Sequence, residues 1–446
     1  MSKKLWGGRF KKKTDPSVER FTRSVQYDYR LAPYDVAGSL IHVNVLERAR
    51  FLNKDEAKRL RSALEGILRR IESGGFKPDM RCEDIHTEIQ NEVRKKTGRL
   101  ALKLHTTRSR NDQVAFASRL YARCESEKIT GLIERFTQAL DKKAKDAGNT
   151  VIPGYTHLQH AQPVYLKDHL RAYRAMLLRD KKRLANAAGS IDFTLGSGAL
   201  GGTAINSKNY SFKIKRILGL KDLSIKPTSN SIDSVSDRDF IIEILSCFAI
   251  MGMHISRLCE DLIIWSSMEF GFVSVDECYC TGSSLLPQKK NPDALELARG
   301  YSGELSGGLV SVLTMMKGLP LAYNRDMQLD KRPFFRSFDI ISEILSVLTG
   351  LIGTISFNAA RIEAALRDES LYAPYIAQHL VDSGVPFKHA HTIVGRMIRY
   401  CEESDKSLSA MTQAEIRRFT EKLRKEDLEY LLRPYSAIKT IRSVKR

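Results

Sequence analysis

The sequence predicts an all-α fold centred on a bundle of five long helices. Two observations carry the prediction. Between residues 110 and 358, apolar residues recur at helical spacing in five stretches, each closed by glycine, proline or a capping run. In the hundred residues before them almost nothing alternates with period two, as a half-buried strand would. Shorter helical stretches flank the bundle, so three domains are expected, over 1–108, 109–360 and 361–446.

Taken in order, Leu5-Trp6-Gly7-Gly8-Arg9-Phe10 reads as a short extended arm with a hydrophobic anchor. A helix is expected over 34–52, after Ala32-Pro33. Residues 55–72 set Ala57, Leu60, Leu64, Ile67, Leu68 and Ile71 at helical spacing before Gly74-Gly75. Asp84-Ile85-His86 opens a helix to 96, ended by Gly98. Ser109, Asn111 and Asp112 supply caps for the first long helix, which Gly148 stops. Pro153 to Pro163 is a turn-rich joint before the second, over 164–188. Gly196-Ser197-Gly198-Ala199-Leu200-Gly201 matches a dinucleotide-site glycine pattern but follows a helix and lies in no βαβ unit. It is read as a tight loop. The third long helix, 239–268, is the most apolar. Glu243, Arg257, Glu260 and Asp261 interrupt it, which marks a buried bundle helix and not a membrane span. The fourth and fifth cover 292–316 and 334–358. The rest, 361–446, is a smaller helical region punctuated by Pro374, Pro386 and Pro434.

Composition narrows the classes. The 446 residues are 42% hydrophobic and 28% charged, ordinary for a water-soluble protein. Met1 to Lys13 is basic and lacks the apolar run of a signal peptide. Seven cysteines are scattered without a C-x-x-C pair, so a zinc site is not expected. Cys278 and Cys280 read as free thiols, which suits a reducing, cytoplasmic setting. The net charge of +20 admits two readings, nucleic-acid binding or solvated basic faces. No nucleic-acid motif occurs and aromatics do not interleave with the basic runs, which favours the second.

The chemistry concentrates in the joints. Thr281 to Asp293 puts hydroxyls, two lysines and an amide into one loop, and Asn291-Pro292 reads as the N-cap and first position of the next helix. That combination suits an anion that is gripped and then reacts. Arg108-Ser109-Arg110-Asn111-Asp112, at another helix start, suits an anion equally, or the arginines pair with nearby acids. Thr156-His157 is either a hydrogen-bonding turn or a proton-transfer group. A helix of about thirty residues is about 45 Å long. Joints at opposite ends of such rods meet only between copies, so a symmetric oligomer is expected.

Gly282-Ser283-Ser284-Leu285-Leu286-Pro287-Gln288-Lys289-Lys290-Asn291-Pro292 resembles the signature of the fumarase/aspartase superfamily. Leu5–Phe10, Glu83–His86, His105–Asp112, Pro153–Pro163, Asp237–Asp239 and Tyr323–Lys331 resemble, in order, segments of the argininosuccinate lyase family. The resemblance implies three helical domains, the long helices of four copies forming a twenty-helix core in a homotetramer. It also implies active sites shared between subunits, and cleavage of argininosuccinate to arginine and fumarate without metal or organic cofactor. It implies Ser283 as the base, Lys289 as electrostatic partner, and His157, oriented by Glu296, on the acid side. Ser24, Arg110, Asn111, Thr156, Asn291, Tyr323, Gln328 and Lys331 are implied substrate contacts, with His86 and Arg238 behind them or paired between helices. The chain departs from the family pattern at three places: Leu286, Leu329 and the pair Pro374-Tyr375. A catalytically silent, crystallin-like homologue and a lyase for another succinyl adduct are the rival expectations. Neither membrane nor nucleic acid is an expected partner.

Overall fold

The computed structural model describes residues 11–440, so the arm Leu5–Phe10 lies outside the described residues. Helices dominate. Ala32–Arg48 carries Pro33 in its first turn, where a missing N–H costs nothing. Lys54–Glu72 starts at a reciprocal cap, in which Asn53 accepts the Glu56 N–H and the Glu56 carboxylate accepts that of Asn53. Its buried face holds Ala57, Leu60, Leu64 and Ile67, as their spacing predicts. Ile85–Thr97 is capped by Asp84 and ends at Gly98, whose φ of 62° is left-handed.

The five long helices are Arg110–Asp146, Leu166–Gly189, Asp239–Ser266, Asp293–Met316 and Lys331–Thr354. The first has 37 residues and so is about 55 Å long. The fifth starts three residues ahead of the expected 334, continuing from a 3-10 turn over Arg325–Asp330. Among the described residues two helical stretches, Asp239–Ser266 and Arg325–Thr354, are long and apolar enough to cross a membrane, and about half of each apolar window is buried inside the chain.

The chain divides into two compact units. One comprises Met1–Ile133, Arg179–Met253 and Gly300–Ile344; the other comprises Glu134–Leu178, His254–Arg299 and Leu345–Arg446. In the first, Tyr121 packs edge-on to Tyr34, Phe335 and Phe338, with ring centroids 5.3, 4.8 and 5.5 Å apart. These rings fasten the first and fifth long helices to Ala32–Arg48. In the second, Asp261 accepts hydrogen bonds from Tyr173 (2.5 Å) and His169 (2.8 Å), tying the second long helix to the third.

Short strands punctuate this helical frame. Val151–Thr156 and Gln159–Tyr165 form an antiparallel hairpin where the sequence reads as a turn-rich joint. Phe193–Leu195 runs parallel to Leu220–Pro227, which pairs antiparallel with Phe212–Ile217. The glycine-rich stretch from Gly196 is the loop leaving that sheet. A side chain on Gly198 (φ 58°) would meet the Gly202 carbonyl at 2.5 Å, so close backbone approach explains the glycine. Pro374 lies in the first turn of Ala373–Asp382 and begins that helix without disturbing it.

Candidate active site

Seven of the expected residues line one cleft of about 560 Å3 in the first unit: Ser24, His86, Arg110, Asn111, Tyr323, Gln328 and Lys331. Each is placed by a local device. The Ser24 N–H donates to the Glu83 carbonyl at 2.8 Å, and its hydroxyl donates to Asp28 at 2.6 Å. His86 sits in the first turn of its helix, and Arg110 and Asn111 in the first turn of the longest one. Gln328 and Lys331 come from the 3-10 turn and the helix start that follows it. The Gln328 amide donates to the Thr22 carbonyl (3.1 Å) and the Tyr27 hydroxyl (3.0 Å). Burial pushes the Tyr323 hydroxyl up.

Arg110 pairs with an acid, as one of the two sequence readings has it, and also lines the cleft. Its guanidinium lies 3.2 Å from Asp84 and donates to Gln113 (2.9 Å) and Thr87 (3.1 Å). Gln113 in turn donates at 2.6 Å to Asp35 Oδ1, the atom that meets His86 Nδ1 at 2.9 Å. One buried carboxylate therefore orients two cleft residues. Burial alone would raise the Asp35 carboxyl, but His86, Arg108 and Gln113 outweigh it and hold it at about 2. His86 Nε2 is buried without a protein partner.

Arg238 is fully buried and donates to Asp330 Oδ2 at 2.6 Å, while Lys331 donates to Oδ1 at 2.8 Å. Arg238 thus pairs with another segment and, through the shared Asp330, stands behind the cleft residue Lys331. Two cations on one carboxylate leave a positive charge in the cleft wall, which stabilises an anionic ligand group. Asp28, Glu83 and Asp84 line the same cleft and suit a cationic group. A ligand carrying carboxylates and a cation at separate places fits this lining.

Asn111 donates to the Ala199 carbonyl at 3.1 Å, and Asp112 accepts the Gly198 N–H at 3.1 Å. Consecutive side chains thus hold the glycine loop against the helix start. Burial pushes the Asp112 carboxyl up to about 7, despite the Arg108 charge.

The other expected residues belong to the second unit. Thr156 and His157 are exposed at the hairpin tip, where His157 (φ 56°) and Leu158 (φ 58°) form a two-residue turn with both backbones left-handed. The signature loop is not irregular throughout, since Thr281-Gly282 pairs with Lys290-Asn291 at its neck. Asn291 is therefore a strand residue rather than the N-cap. The helix begins at Asp293, and the Pro292 carbonyl accepts its first N–H groups. Ser283 is partly buried, and its Oγ accepts the N–H groups of Leu285 (3.2 Å) and Leu286 (3.0 Å). Lys289 and Glu296 are exposed. Among the described residues, Ser283, Lys289, His157 and Glu296 form no hydrogen bonds with one another. Asp35, Gln113 and Asp330 are the residues that sequence reasoning missed.

Residues 8–307 match the family described as Lyase, and residues 371–439 the one described as argininosuccinate lyase C-terminal. An argininosuccinate lyase of Ruminiclostridium cellulolyticum is 43% identical over 95% of this chain and 91% of its own. One of Clostridium kluyveri is 42% identical over 94% of both. Among solved structures, an EDDS lyase in complex with formate superposes with a TM-score of 0.78 at 23% identity, covering 92% of this chain and 81% of that one, a likeness of fold. With that identity sustained along almost the whole chain, the protein belongs to the argininosuccinate lyase family of the fumarase/aspartase superfamily.

Proposed function

We propose that the chain catalyses the reversible β-elimination of argininosuccinate to L-arginine and fumarate. The observation that carries this is the cleft. Residues drawn from Ser24, His86, the Arg110 helix start and the Tyr323–Lys331 segment converge there with cationic and acidic walls, matching a substrate of three carboxylates and a guanidinium.

The reaction removes a weakly acidic proton beside a carboxylate, so charge builds on that carboxyl group. Fixed donors and cations aimed at it dominate the rate enhancement. Ser283 is the base in this reading. A free hydroxyl is a poor base, and the two N–H groups converging on its Oγ favour the alkoxide by hydrogen-bonding to the charged form. Lys289 adds positive charge, and Asn291 and Thr156 hold a carboxylate. His157, oriented by Glu296, protonates the departing guanidino nitrogen or supports the group that does.

Exposure of His157, Lys289 and Glu296 supports a site completed by neighbouring copies. Leu297, Val310 and Leu313 on the fourth long helix are 62, 58 and 44% exposed, and Val347 on the fifth is 42% exposed. Apolar residues placed so support a homotetramer with a shared helical core. The division at 108 and 360 belongs to the same proposal. Seven free cysteines support a cytoplasmic setting.

Fumarate release, followed by ultraviolet absorbance, tests the reading. Release from argininosuccinate but not from adenylosuccinate, malate or aspartate is expected; equal release from adenylosuccinate would overturn the substrate assignment.

A further inference from the structure

We propose that His160, clamped by Asp368, is a positioning residue that holds the hairpin so that Thr156 and His157 at its tip keep one direction. This rests on the role given to those two residues above.

The hairpin is firm at its base and weak towards its tip. Val151, Ile152 and Pro153 are buried and pair with Tyr165, Val164 and Pro163. The register then shifts between Pro153 and Tyr155, at Gly154. A side chain on Gly154 would meet the Gln162 carbonyl at 2.6 Å, so the strands are pressed together there. Beyond the shift only two rungs remain, Tyr155 opposite His160 and Thr156 opposite Gln159. A two-stranded ribbon of that size does not hold its own direction in water.

His160 supplies what the ribbon lacks. Its Nδ1–H donates to Asp368 at 2.5 Å, and Nε2 lies 3.0 Å from the Tyr155 hydroxyl, which donates to it when the ring is neutral. The His160 and Tyr155 rings lie 5.0 Å apart, and Tyr155 packs on Phe270 at 5.5 Å. Asp368 is fixed in turn, because it caps the turn Glu369–Tyr372 by accepting the Ser370 N–H at 3.0 Å. His160 therefore joins both strands of the outer ribbon to a separate element. Its side chain is 26% exposed and that of Asp368 41%, so the pair adds little to stability, whereas it fixes an angle. Small misplacements of reacting groups cost far more in rate than in folding.

The test uses the full-length enzyme with His160→Ala, Asp368→Asn and His160→Arg. The first two are expected to lower kcat by about ten- to a hundred-fold, the scale of a misplacement of about 1 Å. The melting temperature stays close to the parent, and KM for argininosuccinate changes less than kcat, since the Ser24–Lys331 cleft is untouched and Thr156 is one substrate contact among several. His160→Arg restores an N–H donor opposite Asp368 and recovers most of kcat. An unchanged kcat in His160→Ala, a change in KM alone, or a loss that follows melting temperature and is not rescued by arginine would overturn the proposal. A parent enzyme that releases no fumarate would instead remove the functional reading beneath it.

Discussion

Asp330 holds two buried cations, Arg238 and Lys331, at 2.6 and 2.8 Å. Replacing it by alanine leaves both without a counter-charge, and such a loss destabilises by about 3–5 kcal/mol. Urea titration of Asp330→Ala checks this; a midpoint equal to the parent's would show that the cations find other partners. Asp112 makes a pH-dependent contribution. Its folded carboxyl is raised from 3.8 to about 7 by burial, so between those values the folded chain binds more protons than the unfolded one. Its contribution to stability therefore falls as pH rises from about 4 to about 7. Asp112→Asn is expected to flatten that part of a melting-temperature profile, and a profile parallel to the parent's would contradict the assignment. The cleft residues were legible through the family resemblance, which Arg110-Asn111 and Tyr323–Lys331 carry in their segments; the polar runs alone left anion binding and ion pairing equally open. Asp35 was not legible. It is a buried acid among the apolar residues at the start of its helix, and its partners His86 and Gln113 lie 51 and 78 residues away.

At the scale of elements, the helices followed from apolar spacing and caps, to within a few residues at their ends. The hairpin did not. Pro153, Gly154 and Pro163 read as turn punctuation, but the two prolines face each other across one rung. The sheet around 212–227 was likewise unread, although Phe212-Lys213-Ile214-Lys215 alternates as a half-exposed strand does. The hairpin's turn carries a testable strain. Leu158 has a φ of 58° and is 67% exposed, so its side chain meets the left-handed penalty of about 1–2 kcal/mol without a compensating contact. Leu158→Gly is expected to leave the melting temperature unchanged or raise it. A fall as large as glycine causes inside a helix would contradict the turn geometry.

For the whole molecule, the long helices fixed the fold class from the sequence, but no periodicity says which apolar faces meet another copy. In the proposed tetramer that information lies in residues such as Leu297 and Val310, which are apolar, helical and exposed together. The central claim is that the reacting serine and histidine meet only between copies. Ser283→Ala and His157→Asn chains, each assembled alone, are expected to lose at least about 10²-fold in turnover, the scale of general acid–base catalysis. The measurement is fumarate release from oligomers in which the two variants are mixed. Shared sites predict that mixing restores a substantial part of the parent's activity, because some sites then receive an intact serine from one chain and an intact histidine from another. Mixed oligomers no more active than either variant alone would contradict it.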